Sequence, residues 1–192
     1  MMGCDIHLYR EKRVDGVWVS ADEWTPDKFE EGRMEVDFHK RFTERNYELF
    51  GALSKGVRSE HPYSFVPRGV PFDASTQIKK EIDRWGCDGH SHSYLFLHEL
   101  RAFRRFLDTQ TVTIEGLKDS DGLAALRKSI ESGSPDWNLL YPYWGGSNNP
   151  KDEHFEFAVP CSFSLGDSLD SIISTFDEVD GDLHRIVFWF DN

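Results

Sequence analysis

Along residues 4–12 the side chains alternate, with Cys4, Ile6 and Leu8 on one parity and Asp5, His7 and Tyr9 on the other. A second run, 17–24, follows Val14-Asp15-Gly16, and an Asp-Gly pair between two such runs signals a tight hairpin turn. The alternation predicts an opening β-hairpin with one core face and one face carrying polar chemistry. Residues 25–45 are charged and aperiodic, and read as a loop carrying a short irregular strand. Tyr47, Phe50 and Leu53 fall three apart and predict a short helix over 46–53. The stretch through Asp73 reads as a loop, because Pro62, Pro67 and Pro71 cannot donate to a ladder.

Ile78, Ile82 and Trp85 form the stripe of a helix over about residues 76–85, with Ser75 as its N-cap and Gly86 as its stop. Leu95, Phe96, Leu100, Phe103 and Leu107 keep helical spacing and predict a longer helix, capped by Ser93, to about residue 107. Thr111 to Glu115 alternates like a strand, and Leu123, Leu126 and Ile130 suggest a helix over 122–132. Residues 144–154 read as a loop and 155–159 as a strand, and 168–179 is amphipathic through Leu169, Ile172, Ile173, Phe176 and Val179. His184 to Phe190 is apolar on both parities, which predicts a central strand buried on both faces. No repeat or linker divides the chain. The pattern implies a single α+β domain over 1–192: a mixed, largely antiparallel sheet with an N-terminal hairpin and a central C-terminal strand, flanked by helices.

Composition narrows the function classes. With 192 residues, 39% hydrophobic, and with Phe 15 and Trp 6, the chain can bury a core without disulfides. Its three cysteines form no CxxC pair, and neither a secretory signal nor a membrane-length apolar stretch is present, so a cytoplasmic location is expected. The formal charge of -12 argues against direct DNA binding and against anionic membranes. A basic pocket for a small phosphorylated ligand stays compatible with that charge, since screening acts over roughly 8 Å. Homo-oligomers are equally compatible with it.

Two groups of residues could carry chemistry. Asp5 and His7, two apart on a strand, project to one side and can converge on an ion or a phosphate. Asp88-Gly89-His90-Ser91-His92 follows a helix stop, and with the opening strand it offers Asp5, His7, His90 and His92 as ligands for a divalent metal such as Zn, Mn or Mg. Without a metal, His90, His92 and Asp88 could act as acids and bases. An Asp at such a place can equally be a cap, and a surface His can be idle. The second group is Arg68, Asp73, Asn46 and Tyr47, with Arg68 as a fork for phosphate, although an Arg there can also pair with a carboxylate of the fold. Tyr63, Phe65, Tyr141, Tyr143 and Trp144 lie in loops, where they can stack on a base or fill a satellite core. Cys4, Cys87 and Cys161 have no Cys-His spacing that would mark a nucleophile.

Asp-x-His early and Gly-His-x-His later resemble fragments of the metallophosphoesterase pattern, but the chain lacks that family's Gly-Asp pair and Gly-Asn-His segment. A broader likeness runs through Met2 to Leu8, Arg45-Asn46-Tyr47 with Leu49-Phe50, Pro67-Arg68-Gly69, Trp85 to Leu95, and Phe188-Trp189-Phe190-Asp191-Asn192. In these segments the chain resembles a group of uncharacterised phage and prophage proteins that open Met-Gly-Cys-Asp-Ile-His. The resemblance implies a phage-associated origin, hence the host cytoplasm, and a shared site. The residues together lead to the expectation of a small hydrolase acting on a phosphorylated or nucleotide-like molecule. The alternatives are a non-catalytic anti-defence protein that sequesters a signalling nucleotide, and an acidic inhibitor that binds a host factor.

Overall fold

A computed structural model describes residues 3–117, 124–125, 128–129, 132, 136, 154–176 and 180–191, with only the backbone for 114–117 and 154–157. The first elements are β1 (Ile6–Val14), β2 (Val17–Ser20), β3 (Trp24–Pro26), β4 (Met34–Val36), α1 (Tyr47–Leu53) and α2 (Thr76–Trp85). There follow β5 (His90–Phe96), α3 (Leu97–Thr109), β6 (Thr111–Leu117), β7 (His154–Pro160), α4 (Ser168–Ser174) and β8 (His184–Phe190). The chain forms two compact units, one of Met1–Arg104 with Leu165–Asn192 and the other of Arg105–Ser164, the division falling within α3.

The first unit is built on an antiparallel sheet in the order β2-β1-β8-β5. The hairpin forms as the Asp-Gly pair predicts, with Val14 opposite Val17. Asp15 and Gly16 both have positive φ, 49° and 82°, the left-handed pair that matches the twist of the flanking strands. β8 is central, and from Arg185 to Phe190 all its residues are buried, because each face of the sheet is covered. On one face Tyr9, Val187 and Trp189 pack with Ile78, Ile82 and Trp85 of α2. The expectation of a polar second face on β1 is thereby corrected: Tyr9 is only 4% exposed, and burial pushes its phenol up to about 12. On the opposite face Phe50 of α1 packs 5.1 Å from the Phe190 ring. The segment after α4 reaches the same face through Phe176 on His184 and through Thr175 O, which accepts from Arg10.

α1 begins where Asn46 Oδ1 accepts from Leu49 N–H, while the Asn46 amide donates to Leu165 O. Leu49, Phe50 and Leu53 are fully buried, and each such side chain contributes about 1.5–3 kcal/mol. α2 spans the predicted residues, and Gly86 ends it at φ 51°. Ser75 occupies the cap position without capping: its hydroxyl bonds nothing among the described residues, and its N–H donates to Glu11.

The helix predicted from Ser93 is a second correction. Residues 90–96 form a strand, and the helix starts at Leu97. β8 has ladder groups on both edges that need partners, and β5 satisfies the edge that β1 does not. Glu99 then accepts the Phe96 N–H at 2.9 Å, supplying the carboxylate half of a capping box.

In the second unit β6 and β7 pair antiparallel from Thr111↔Pro160 to Leu117↔His154, so both predicted strands are present. Of the helix expected over 122–132 only residues 124–125, 128–129 and 132 are described, the two pairs being helical. The loop expected over 144–154 is described only at His154, which already belongs to β7, and Tyr141, Tyr143 and Trp144 lie outside the described residues, as do 177–179 at the end of the last predicted helix. Among the described residues no helix is long and apolar enough to cross a membrane.

Candidate functional site at one end of the sheet

The antiparallel ladder brings the start of β1, the end of β8 and the start of β5 to the same end of the sheet. Ile6 and His90 both pair with Phe190. Beyond the last rung, Asp191 Oδ1 accepts the Asp5 N–H at 2.9 Å, and Asp191 Oδ2 lies 3.2 Å from His7 Nε2. The His7 ring is 4.0 Å from that of Trp85 and 5.5 Å from that of Trp189. The opening strand therefore lies against Trp85, the residue before the turn, and reaches the same end of the sheet as β5, with β8 between the two strands.

They do not aim all their polar groups at one point. His90 pairs with Phe190 but Ser93 pairs with Phe188, so Ser91 and His92 together face the single residue Trp189. This is a β-bulge, and Ser91 takes a left-handed φ of 53° within it. The extra residue breaks the parity expected of His90 and His92. His92 stacks on Trp189 at 5.8 Å, on the face that carries His7, while His90 stacks on Phe190 at 6.2 Å on the other face. Gly89 fits this corner closely: a Cβ there would meet Trp189 Cδ1 at 3.1 Å and the His92 ring at 3.4 Å.

Burial lowers the pKa of His7 from its ordinary value, although the bond to Asp191 and that carboxylate's charge pull the other way. Burial also lowers that of His92, helped by the neighbouring charge of His90. Both imidazoles are thus favoured in the neutral form near pH 7. A carboxylate can only accept, so His7 Nε2 carries the hydrogen and Nδ1 keeps the lone pair. This is the arrangement of an oriented base. His7 lines a cavity of about 320 Å³ together with Asp5, Tyr9, Phe38, Arg41 and Phe42. His90 lines a different one.

The predicted residues fare unequally. Asp5, His7, His90 and His92 share the sheet end but form no single ligand set: Asp5 Oδ1 takes Arg45 Nε and a terminal Arg45 nitrogen at 2.9 and 2.6 Å, and His90 is across the sheet from the other two imidazoles. Among the described residues no group of three or more His, Cys, Asp or Glu is placed to hold a metal ion. Asp88 is exposed in a short 3-10 turn after α2. Arg68 makes a two-pronged pair with Glu99 at 2.8 and 2.6 Å, and Asp73 accepts from Arg185 at 3.0 Å. Asn46 is a helix cap, and Tyr47 lies beneath the Arg58 guanidinium at 5.9 Å. The four residues expected to bind ligand thus all have partners within the fold.

Asp191, Trp85 and Trp189 also belong to this sheet end, although the residue pattern of the chain does not mark them as site residues. A signal for Asp191 does exist in the chain: if the terminal strand lies antiparallel to the first, the residue after its end must face the residue before β1. The chain matches no protein-family model, no curated protein and no solved structure.

Proposed function

We propose that the protein is a small hydrolase of a phosphorylated or nucleotide-like molecule, with His7 as its general base and Asp191 as the group that orients it. The reading is supported chiefly by the His7–Asp191 pair at the wall of a cavity that also carries Arg41. In that role Nδ1 takes a proton from the attacking water, and the Asp191 carboxylate stabilises the resulting imidazolium. Positive charge for the phosphate comes from Arg41, which pairs with Glu35 at 2.8 Å, and from Arg45, held on the cavity residue Asp5; both ion pairs are partly exposed, so a phosphate can take the place of either carboxylate.

The test is product release from a panel of linear and cyclic nucleotides and phosphomonoesters, with and without chelator. The chelator arm separates hydrolysis by side chains alone from a reaction that needs Zn, Mn or Mg. His7→Ala is expected to lower kcat at least 100-fold, within the usual range for a lost acid–base group. Asp191→Asn should cost less, because it leaves the imidazole in place. Undiminished turnover in His7→Ala would remove the proposed role, and a ligand bound but recovered intact would favour sequestration.

A further inference from the structure

On the other side of the sheet end, a second concavity of about 400 Å³ is lined by Lys55, Gly56, Val57, Arg58, His90 and Ser91. We infer that it binds the phosphoryl group of a small molecule, independently of the chemistry assigned to His7. Charge is the first reason. In a chain of formal charge -12, this lining holds two permanent cations, an imidazole and a hydroxyl, with no carboxylate. A few cations in a recess can dominate the local field over the distance of a Debye length, roughly 8 Å, whereas the overall charge disfavours a polyanion such as nucleic acid.

Backbone geometry is the second reason. Among the described residues Asp15, Arg58 and Ser91 have positive φ without being glycine. The first belongs to the hairpin turn; the other two, at 62° and 53°, line this one recess. Conformations that L-residues avoid persist where the surrounding structure fixes them, and they concentrate at ligand-binding places. The Arg58 side chain is positioned by its bond to Gly3 O at 3.0 Å and by the Tyr47 ring beneath it.

The third reason is an unmatched polar atom. His90 Nδ1 is 3.1 Å from Ser91 Oγ, while its Nε2 is buried without a hydrogen-bond partner among the described residues. Buried polar atoms in folded proteins are nearly always matched; this nitrogen has almost no accessible surface, so the imidazole would have to turn for it to reach a phosphoryl oxygen in the recess that His90 lines. Arg supplies a planar fork and Lys a mobile point charge, a combination suited to a tetrahedral dianion. The volume leaves room for the organic part of a small phosphorylated molecule.

Titration of the isotope-labelled full chain with inorganic phosphate, read by amide NMR at ionic strength held constant with sodium chloride, tests the inference. Saturable shifts are expected at residues 55–58 and 90–91. Lys55→Gln, an exposed change that leaves the fold intact, should raise the Kd tenfold or more, and adding His90→Gln should abolish saturation. His7→Ala should bind as the parent does. Linear shifts in the parent, unchanged affinity in Lys55→Gln with His90→Gln, or loss of binding in His7→Ala would each overturn it.

Discussion

Replacing Glu11 by Gln should destabilise the protein by about 3 kcal/mol, although the two side chains have nearly the same shape. Glu11 is fully buried and Arg185, directly opposite it across the β1–β8 ladder, is 2% exposed. The carboxylate accepts from Arg185 Nε at 2.7 Å and from the Ser75 N–H at 2.6 Å. A carboxamide can accept only one of these and turns an NH2 toward the other, so the substitution leaves a buried guanidinium short of charge and sets donor against donor. Removing one partner of a buried pair costs about 3–5 kcal/mol. The lower end applies here, since Asp73 still accepts from Arg185 and the Trp18 ring lies 4.1 Å from its guanidinium carbon. For a domain of this size such a loss lowers Tm by roughly 6–12 °C. Urea denaturation gives the free energy, and Glu11→Met with Arg185→Met completes a double-mutant cycle. That double variant should recover much of the loss, because it leaves no buried charge unmatched. A Glu11→Gln protein within about 0.5 kcal/mol of the parent, or a double variant as unstable as the two single changes added together, would refute the reasoning. The pair also bears on the site. It fixes the β1–β8 register four residues from His7, and a slip of one residue would turn His7 to the wrong face.

Stability should fall on mild acidification. His7 and His92 have folded-state pKa values lowered from 6.5, chiefly by burial, so the unfolded chain binds the extra protons. Their stabilising effect is complete above 6.5 and is lost as the pH drops through that value to the lowered ones. Tm followed from about pH 7.5 to 5.5 should decline, and the decline should be shallower in His7→Gln with His92→Gln; identical slopes would contradict the assignment. Gly51→Ala should cost about 1–3 kcal/mol by overpacking, since its Cβ would stand 2.5 Å from Ser59 O, a backbone atom. Amide shifts concentrated at residues 55–59 would show the strain moving the turn that carries Lys55 and Arg58, and a parent-like spectrum would exclude it.

The chain states some of this fold openly and conceals the rest for identifiable reasons. Asp15-Gly16 fixes the hairpin locally, and the two-sided apolar run of 184–190 declares a central strand. The passage from β5 to α3 is different, because strand gives way to helix between Phe96 and Leu97 with no Gly, Pro or polar run between them. Leu95, Phe96 and Leu100 fit a helical stripe, and only the demand of β8 for a second neighbour makes residues 90–96 extended. The site was half legible. That Asp5-x-His7 and the His-rich segment reach the same end of the sheet, on either side of β8, follows from strand order; that His90 and His92 point to opposite faces follows from a bulge that residue spacing does not reveal. Arg68 and Asp73 look like ligand groups until Glu99 and Arg185 are seen beside them, 31 and 112 residues away along the chain.

The bulge also limits what the sheet end can do. Bringing His90 to the His7 side would take more than a rotamer change: residues 91 and 92 would have to re-pair with β8, and a strand buried on both faces resists that shift. Between His7 and His92 stands the Trp189 indole, 5.5 and 5.8 Å from the two rings, tilted 23° and 20° to them. The indole between them helps to bury both imidazoles and favours their neutral forms, while His7 stays part-exposed toward its cavity, which suits a base and disfavours a pair that shares charge. On this geometry His7 has Asp191 as its orienting partner, whereas His90 is grouped with Lys55, Arg58 and Ser91. Proton transfer on one face and anion binding on the other would be separate properties of the molecule, linked by the short terminal stretch Phe190-Asp191, in which one residue packs against His90 and the next holds His7, and by the opening segment, where Gly3 O accepts from Arg58 four residues before His7.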